Sequence, residues 1–285
     1  MSQGFDIGIE GHGVLITGAS GGIGRALAEV FAECGATLVL HANTQRDALS
    51  AWVHDQPWKD RATLTSADLR CPDATEAMFE SSLAQLGRID CCIANAGIWL
   101  AGDTPLHEQD PRRTRDVIET NLLGAAWTAR SFVRGLARTG PRPDGVGASL
   151  CLIGSTAGRF GEPGHAEYAA SKAGLYGLVR SLKTEIVAVD PRARVNMVEP
   201  GWTLTDRVAA TAGQPGNVER VAATRSLAQL AHPRDIARAA LGLSSPRLSR
   251  HVTGEILTVS GGMEGRLLRS PDAVDGAAVL ADSIA

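Results

Sequence analysis

The sequence predicts an α/β protein built on one doubly wound parallel β-sheet of about seven strands, with helices on both faces. Short apolar, β-rich runs alternate with helical patterns along the whole chain, the arrangement that crossover-connected parallel strands require. A glycine-rich turn joins the first strand to the first helix. No internal repeat or linker divides the chain, so residues 1–264 read as one domain with a substrate loop at 202–226, and residues 265–285 as a tail.

Gly13-Val14-Leu15-Ile16-Thr17 is the first strand, and Gly18-Ala19-Ser20-Gly21-Gly22-Ile23-Gly24 follows at once. Arg25 to Cys34 has helical periodicity and ends at Gly35, a favoured residue just past a helix C-terminus. Strand, glycine turn and helix together point to a dinucleotide site. Glycines let the backbone approach a pyrophosphate, whose charge then meets the free N–H groups of the helix. The spacing is Gly-x-x-x-Gly-x-Gly rather than Gly-x-Gly-x-x-Gly, and a merely flexible loop is the weaker alternative.

Thr37 to His41 is the second strand, closed by Ala42-Asn43-Thr44-Gln45-Arg46. An acid at that strand end would bond the adenosine ribose hydroxyls and repel a 2′-phosphate. Asn43 and Arg46 lie there instead, which favours NADP over NAD, although Arg46 also reads as a solvated helix residue. Ala62 to Ala67 is the third strand, with Asp68-Leu69 at its end as the place for an adenine contact. Asp73 reads as an N-cap, with Glu76 completing a capping box and Gly87 closing the helix. Ile89 to Ala94 is the fourth strand and runs into Asn95-Ala96-Gly97, small residues that either open a strand end beside a cofactor or make an ordinary turn.

Residues 110–138 form a long helical stretch with Asn121 in its middle. An asparagine there, with Gly124 close behind, is locally unfavourable, and such inconsistency tends to mark function. Leu150 to Gly154 is the fifth strand and delivers Ser155 to its tip. Tyr168 and Lys172 then share one helix face at i, i+4 spacing. An ammonium there lowers the pKa of a phenol from about 10, so the tyrosine can handle protons near neutral pH. Taken alone, such a pair is more often a half-buried tyrosine beside a solvated lysine.

Ala193 to Val198 is the sixth strand, closed by Glu199-Pro200-Gly201-Trp202-Thr203-Leu204-Thr205. Residues 206–226 are polar and weakly patterned, as fits either a lid over a substrate or an irregular connection. His232-Pro233 opens a helix with proline at its first position, and Gly254 to Val259 is the final strand. From Gly265 onward the tail is polar and alanine-rich, either partly disordered or packed against a partner.

Composition narrows the function classes. A net charge of −3 over 285 residues gives no basic field for nucleic acid or an anionic membrane. The N-terminus lacks a basic region followed by an apolar run, and no apolar stretch is long enough to span a bilayer. Five cysteines, an odd number without C-x-x-C spacing, fit a reduced cytoplasm better than a disulfide framework. Seven scattered histidines show no ligand pairing, so no metal site is expected.

These motifs in this order resemble the short-chain dehydrogenases/reductases of the catalytic-tetrad type, over residues 11–263. The resemblance rests on Thr17-Gly18-x-x-x-Gly22-Ile23-Gly24, Asp68-Leu69, Asn95-Ala96-Gly97, Asn121, Ser155, Tyr168-x-x-x-Lys172 and Pro200-Gly201-x-x-x-Thr205. It implies a Rossmann-type fold and an NAD(P)-dependent oxidoreductase acting on a small-molecule ketone or secondary alcohol. Tyr168 then resembles the general acid/base, Ser155 the holder of the substrate oxygen, and Lys172 the group that lowers the tyrosine pKa and bonds the nicotinamide ribose. Asn121 resembles the support of a water-linked proton relay to that lysine. Gly18, Ser20, Gly22, Ile23 and Gly24 look like the pyrophosphate loop, and Asp68 and Leu69 like the adenine contacts. Asn95, Ala96 and Gly97 would pass beside the ribose, and Pro200-Gly201 lead to Thr203 and Thr205 at the carboxamide.

The overall look is closest to the 3-oxoacyl-carrier-protein reductase-like members. Three departures stand out: Ala94 where many relatives carry a second asparagine, no acid at the ribose position, and a long tail beyond Gly262. The alternatives are a catabolic NAD-dependent polyol or alcohol dehydrogenase, a catalytically silent dinucleotide sensor, and the same fold running a dehydration or epimerisation. Substrate choice falls to residues 98–109, 156–165 and 202–226, where Trp99, Phe160 and Trp202 line a partly apolar pocket or belong to the core. The resemblance also implies a homodimer or homotetramer built through the helices that carry Asn121 and Tyr168. A monomeric mass in light scattering would contradict that expectation.

Overall fold

Apolar residues alternate between the two faces of each strand, and this period of two divides the interior into two layers. Val14 and Ile16, Leu38 and Leu40, Cys91 and Ile93, and Cys151 and Ile153 point into one layer. Leu15, Val39, Cys92, Ala94, Leu150, Leu152, Val195 and Met197 point into the other. Both faces of the sheet must therefore be covered. Burying each large apolar side chain is worth roughly 1.5–3 kcal/mol.

The computed structural model describes residues 6–206, 208–209, 216–267 and 275. Its strands are β1 (Gly13–Ile16), β2 (Thr37–His41), β3 (Ala62–Thr65), β4 (Cys91–Ala94), β5 (Ser149–Ile153), β6 (Arg194–Pro200) and β7 (Ile256–Val259). They form one parallel sheet of seven strands in the order β3-β2-β1-β4-β5-β6-β7. The helices are α1 (Gly22–Glu33), α2 (Arg46–His54), α3 (Pro72–Leu86), α4 (Pro111–Ile118), α5 (Gly124–Thr139), α6 (Thr156–Phe160), α7 (Ala166–Glu185), α8 (Asn217–Ala222) and α9 (Pro233–Ser244). Helices α1 and α9 cover the first layer, through Leu27, Phe31, Ile236 and Ala240. Helices α3, α5 and α7 cover the second, through Phe79, Phe132, Leu136, Leu175 and Val179.

Helix ends follow their local chemistry. Gly35 stands at φ +83° just past α1, and Gly87 at φ +71° ends α3. His232 caps α9 by accepting from the Arg234 amide, and Asp235 returns the bond in a capping box, with Pro233 at the first helical position. At the N-terminal edge of the sheet the buried Asp90 accepts from the Gly13 amide at 2.9 Å and pairs with Arg88 and Arg142. That cluster ties strand starts together, at the opposite end of the sheet from the site described below.

Several sequence expectations change, among them the start of the fourth strand, at Cys91 rather than Ile89, and the end of the sixth, at Pro200 rather than Val198. Asp73 is not the N-cap of α3: the helix begins at Pro72, with Cys71 as its cap residue. Proline needs no hydrogen-bond partner there and its ring presets the helical φ. Glu76 is thereby turned towards α5, where it accepts from Ser131 at 3.0 Å and faces Arg130 and Arg134. The stretch 110–138 is not one regular helix, because a π-helical turn at Glu119–Leu123 separates α4 from α5. The third strand stops at Thr65 and the last begins at Ile256, after Gly254 has turned the chain at φ +81°.

Cys91, Cys92 and Cys151 are buried free thiols in the core. Of the expected lid, residues 207 and 210–215 lie outside the described residues, and the remainder includes α8. Of the tail, residues 268–274 and 276–285 also lie outside them. Where the tail begins, Arg266 donates to Gly161 O at 2.8 Å. Among the described residues no helix is long and apolar enough to cross a membrane.

Candidate active site

The sheet order reverses direction between β1 and β4, so the connections after these two strands leave on opposite sides. A crevice opens at such a switch point, at the carboxyl ends of the strands. The turn 17–24 lines one side of it and Asn95-Ala96-Gly97 the other. Thr17 joins the two: its Oγ1 accepts from the Asn95 and Ala96 amides at 3.0 Å each. Asn95 completes the tie with its side chain, donating to Thr17 O at 2.9 Å and Gly18 O at 3.1 Å. Its amide is thus spent on the glycine turn.

The glycines are required by space. Gly18 stands at φ +65°, and a Cβ on it would lie 2.8 Å from Ala96 Cα. On Gly24 a Cβ would lie 2.2 Å from Gly18 O, and on Gly22 it would lie 2.9 Å from Thr205 Cγ2. The result is a bare backbone cradle at the N-terminus of α1, closed from above by Thr205. It fits the pyrophosphate of a dinucleotide. Thr203 is buried and donates to Gly201 O at 3.0 Å, which holds the 200–205 turn in shape over the crevice.

Asn121, Tyr168 and Lys172 come together near this cradle. Asn121 sits in the π-helical turn, where the extra residue swings its side chain out of the helical register and towards the end of β4. Its Oδ1 accepts from the Ile98 amide at 2.7 Å, and its Nδ2 donates to Ile98 O at 2.9 Å and Ser171 Oγ at 3.1 Å. Ser171 in turn donates to Tyr168 O at 2.7 Å. Lys172 is buried, donates to Ile153 O at 2.9 Å, and lies 5.9 Å from the centroid of the Tyr168 ring. Burial lowers its pKa from 10.5 to about 8. Gly97 gives both groups room, since a Cβ there would lie 3.1 Å from Asn121 Oδ1 and 3.3 Å from Lys172 Nζ.

Ser155 follows β5 in extended backbone, and its Oγ accepts from the Ala157 amide at 3.1 Å, capping α6. A Cβ on Gly158 would lie 2.8 Å from both Lys172 C and Ala173 N, so glycine lets α6 press against α7. Lys172 therefore lies beside Tyr168, beside Asn121 across Gly97, and on Ile153 O, two residues before Ser155.

The adenine end is less open than its residue types imply. Asn43 and Arg46 are exposed beyond β2. Asp68 is held by Arg70 in a bidentate pair, and that hydrogen bond, outweighing its slight burial, keeps its carboxyl below the usual range. The Leu69 side chain is buried and packs against Gly124.

Two groups escape a reading of the sequence. Arg113 joins the loop after β4 to the start of α7: it donates to Leu100 O at 3.0 Å, His165 Nδ1 at 2.9 Å and the buried Glu167 at 2.8 Å. Gln109 adds a 2.7 Å bond to Glu167, His165 Nε2 meets Asp103 at 3.0 Å, and Trp99 stacks on the His165 ring at 4.6 Å. Burial raises the Glu167 carboxyl, and the bonds from Arg113 and Gln109 outweigh it, leaving the pKa lowered. The second group is His41, which closes β2 beneath the glycine turn. A charged or titratable residue at the end of an apolar strand was the available signal for it; Arg113 left none, because its partners are remote in sequence.

The chain matches a family model described as enoyl-(acyl carrier protein) reductase over residues 18–264. It is 32% identical over 258 residues to the 3-oxoacyl-[acyl-carrier-protein] reductase of Vibrio cholerae, covering 90% of this chain and 98% of that protein. Among solved structures it resembles a short-chain dehydrogenase/reductase of the glucose/ribitol dehydrogenase type from Brucella melitensis, at 30% identity and TM-score 0.78, with 89% and 96% of the two chains covered. It also resembles a 7α-hydroxysteroid dehydrogenase in complex with NADH and 7-oxo glycochenodeoxycholic acid, at 27% identity and TM-score 0.82, with 94% and 100% covered.

Proposed function

Because this chain belongs to the short-chain dehydrogenase/reductase family, we propose that it transfers a hydride between nicotinamide C4 and a ketone or secondary alcohol, with Tyr168 as general acid/base. The observation that carries this reading is the buried Lys172, whose ammonium lies 5.9 Å from the Tyr168 ring at the switch point of the sheet. A positive charge so placed favours the phenolate. Bound in the cradle, the dinucleotide supplies or accepts the hydride. Everything else falls to the protein.

Tyr168 gives its proton to the substrate oxygen in reduction and takes it back in oxidation. Ser155 holds that oxygen from the tip of β5 and polarises it. Asn121 fixes Ile98 and, through Ser171, the first turn of α7, and from this position it supports a proton relay to Lys172. Gly18, Ser20, Gly22, Ile23 and Gly24 hold the pyrophosphate, with Asp68 and the Leu69 backbone at the adenine and Ala96 and Gly97 beside the ribose. Thr203 and Thr205 hold the carboxamide end. Asn43 and Arg46, exposed where an acid would repel a phosphate, support a preference for NADP.

The test is Tyr168→Phe. Turnover on a panel of ketones and secondary alcohols should fall at least about a hundredfold, the scale of general acid–base catalysis, while cofactor affinity stays within a small factor of wild type. Near-wild-type turnover in this variant would refute the assignment. Saturable cofactor binding without turnover in the wild-type protein would favour a silent sensor instead.

A further inference from the structure

His41 is buried at the end of β2, and the two atoms that meet its ring allow one tautomer only. The Gly18 amide donates to Nδ1 at 3.2 Å, and a backbone N–H can only donate. Nε2 lies 2.9 Å from Ala67 O, and a carbonyl can only accept. Nδ1 is therefore bare and Nε2 carries the proton. The His41 carbonyl adds a third tie, accepting from the Ala19 amide at 2.8 Å. One residue thus joins three segments: the glycine turn, the end of β2 that would flank the adenosine ribose, and the end of β3 beside Asp68.

We propose that His41 is a positioning residue for dinucleotide binding: as neutral imidazole it holds the glycine turn against the Ala67–Asp68 strand end, and its protonation loosens that turn and weakens cofactor affinity. The inference rests on the dinucleotide reading above. A second proton has only Nδ1 to occupy, where it would point at the Gly18 N–H, so two donors would face each other in a buried place. Release of Gly18 reaches the whole cradle, because its carbonyl contacts the Asn95 side chain and lies where Gly24 admits no Cβ.

The charged group facing His41 is Asp68, itself held by Arg70. Residues 17–20, β3, Ser66 and Ala67 are uncharged, and Arg46 and Asp47 are exposed at the start of α2. Burial pushes the His41 pKa down; the bond to Ala67 and the Asp68 charge oppose this and do not overcome it. At neutral pH the clamp is closed, and it opens as the solution becomes acidic.

The experiment titrates the full-length protein with NADPH and with NADH from pH 8 to pH 5.5, following fluorescence, for wild type, His41→Asn and His41→Leu. Asparagine can still accept from Gly18 and does not titrate. The Kd of wild type should weaken on acidification at least about twofold more than that of His41→Asn, the lowered pKa of His41 keeping the ratio below about tenfold at pH 5.5, and titration of the cofactor's own phosphates cancels from that ratio. At pH 8 His41→Asn should bind within about threefold of wild type and His41→Leu about tenfold more weakly. Parallel pH profiles for wild type and His41→Asn, with binding intact, would overturn the inference and leave the dinucleotide reading standing. Imidazole 15N shifts at pH 7 test the clamp without cofactor: the neutral Nε2–H form is expected, and an Nδ1–H form or imidazolium would overturn it. If that tautomer is found but neither nucleotide binds at any pH, the dinucleotide reading falls and this inference falls with it.

Discussion

Replacing Arg113 with methionine removes the guanidinium from a carboxylate that has no access to water. Glu167 is fully buried in its side chain, and after the change Gln109 and the Glu167 backbone N–H would remain as its donors, with no positive charge beside it. Leaving one partner of a buried ion pair costs about 3–5 kcal/mol, because an uncompensated charge stays in a low-dielectric place. Arg113→Met should therefore lower the unfolding free energy by about that amount in urea at pH 7, with the denaturant slope unchanged. The double variant Arg113→Met/Glu167→Leu removes both charges and should lose only about 1–2 kcal/mol, the cost of the bonds Arg113 makes to Leu100 O and His165.

The pH dependence has a definite sign. The lowered Glu167 pKa means that this pair contributes stability above the ordinary carboxyl value and loses it as pH falls through the lower folded value. The Arg113→Met deficit should accordingly shrink in acid. Two single losses that add up to the double loss within about 0.5 kcal/mol would refute the coupling, and with it the claim that this pair braces the loop after β4 against the start of α7.

Two further outcomes test the site. Lys172 titrates at about 8 in the folded protein against 10.5 for a free lysine, so the unfolded chain binds more protons between those values and stability should rise as pH climbs through that window. Lys172→Met should flatten that rise and, while abolishing turnover, stabilise the protein at pH 7 by roughly 3 kcal/mol; parallel stability profiles would show that the lysine is solvated after all. In fluorescence titrations at pH 8 NADPH should bind more tightly than NADH, and the reverse order would show that Asn43 and Arg46 do not select a phosphate.

Much of the site was legible because its signals are local. A strand running into a glycine turn and a helix is readable over a dozen residues, and Tyr168 and Lys172 need only helical spacing to share a face. Where two local rules competed, the sequence misled: Asp73 and Glu76 have the form of a capping box, yet Pro72 starts the helix two residues earlier than that reading and Glu76 serves α5. Asn121 was visible as a misfit, but not the π-helical turn that holds it, since the partners of its side chain, Ile98 and Ser171, are remote in sequence.

By itself, then, the sequence predicted the parallel sheet, and it singled out the glycine turn and the four candidate residues Asn121, Ser155, Tyr168 and Lys172, since strand alternation, glycine spacing and helix periodicity are set by neighbours along the chain. Only the tertiary structure decided what holds those residues in place. Glu167 meets Arg113 across 54 residues, and His41 reaches Gly18 across 23 and Ala67 across 26. A buried polar side chain must find a partner wherever the fold brings one, and no local pattern records which distant backbone or guanidinium that will be.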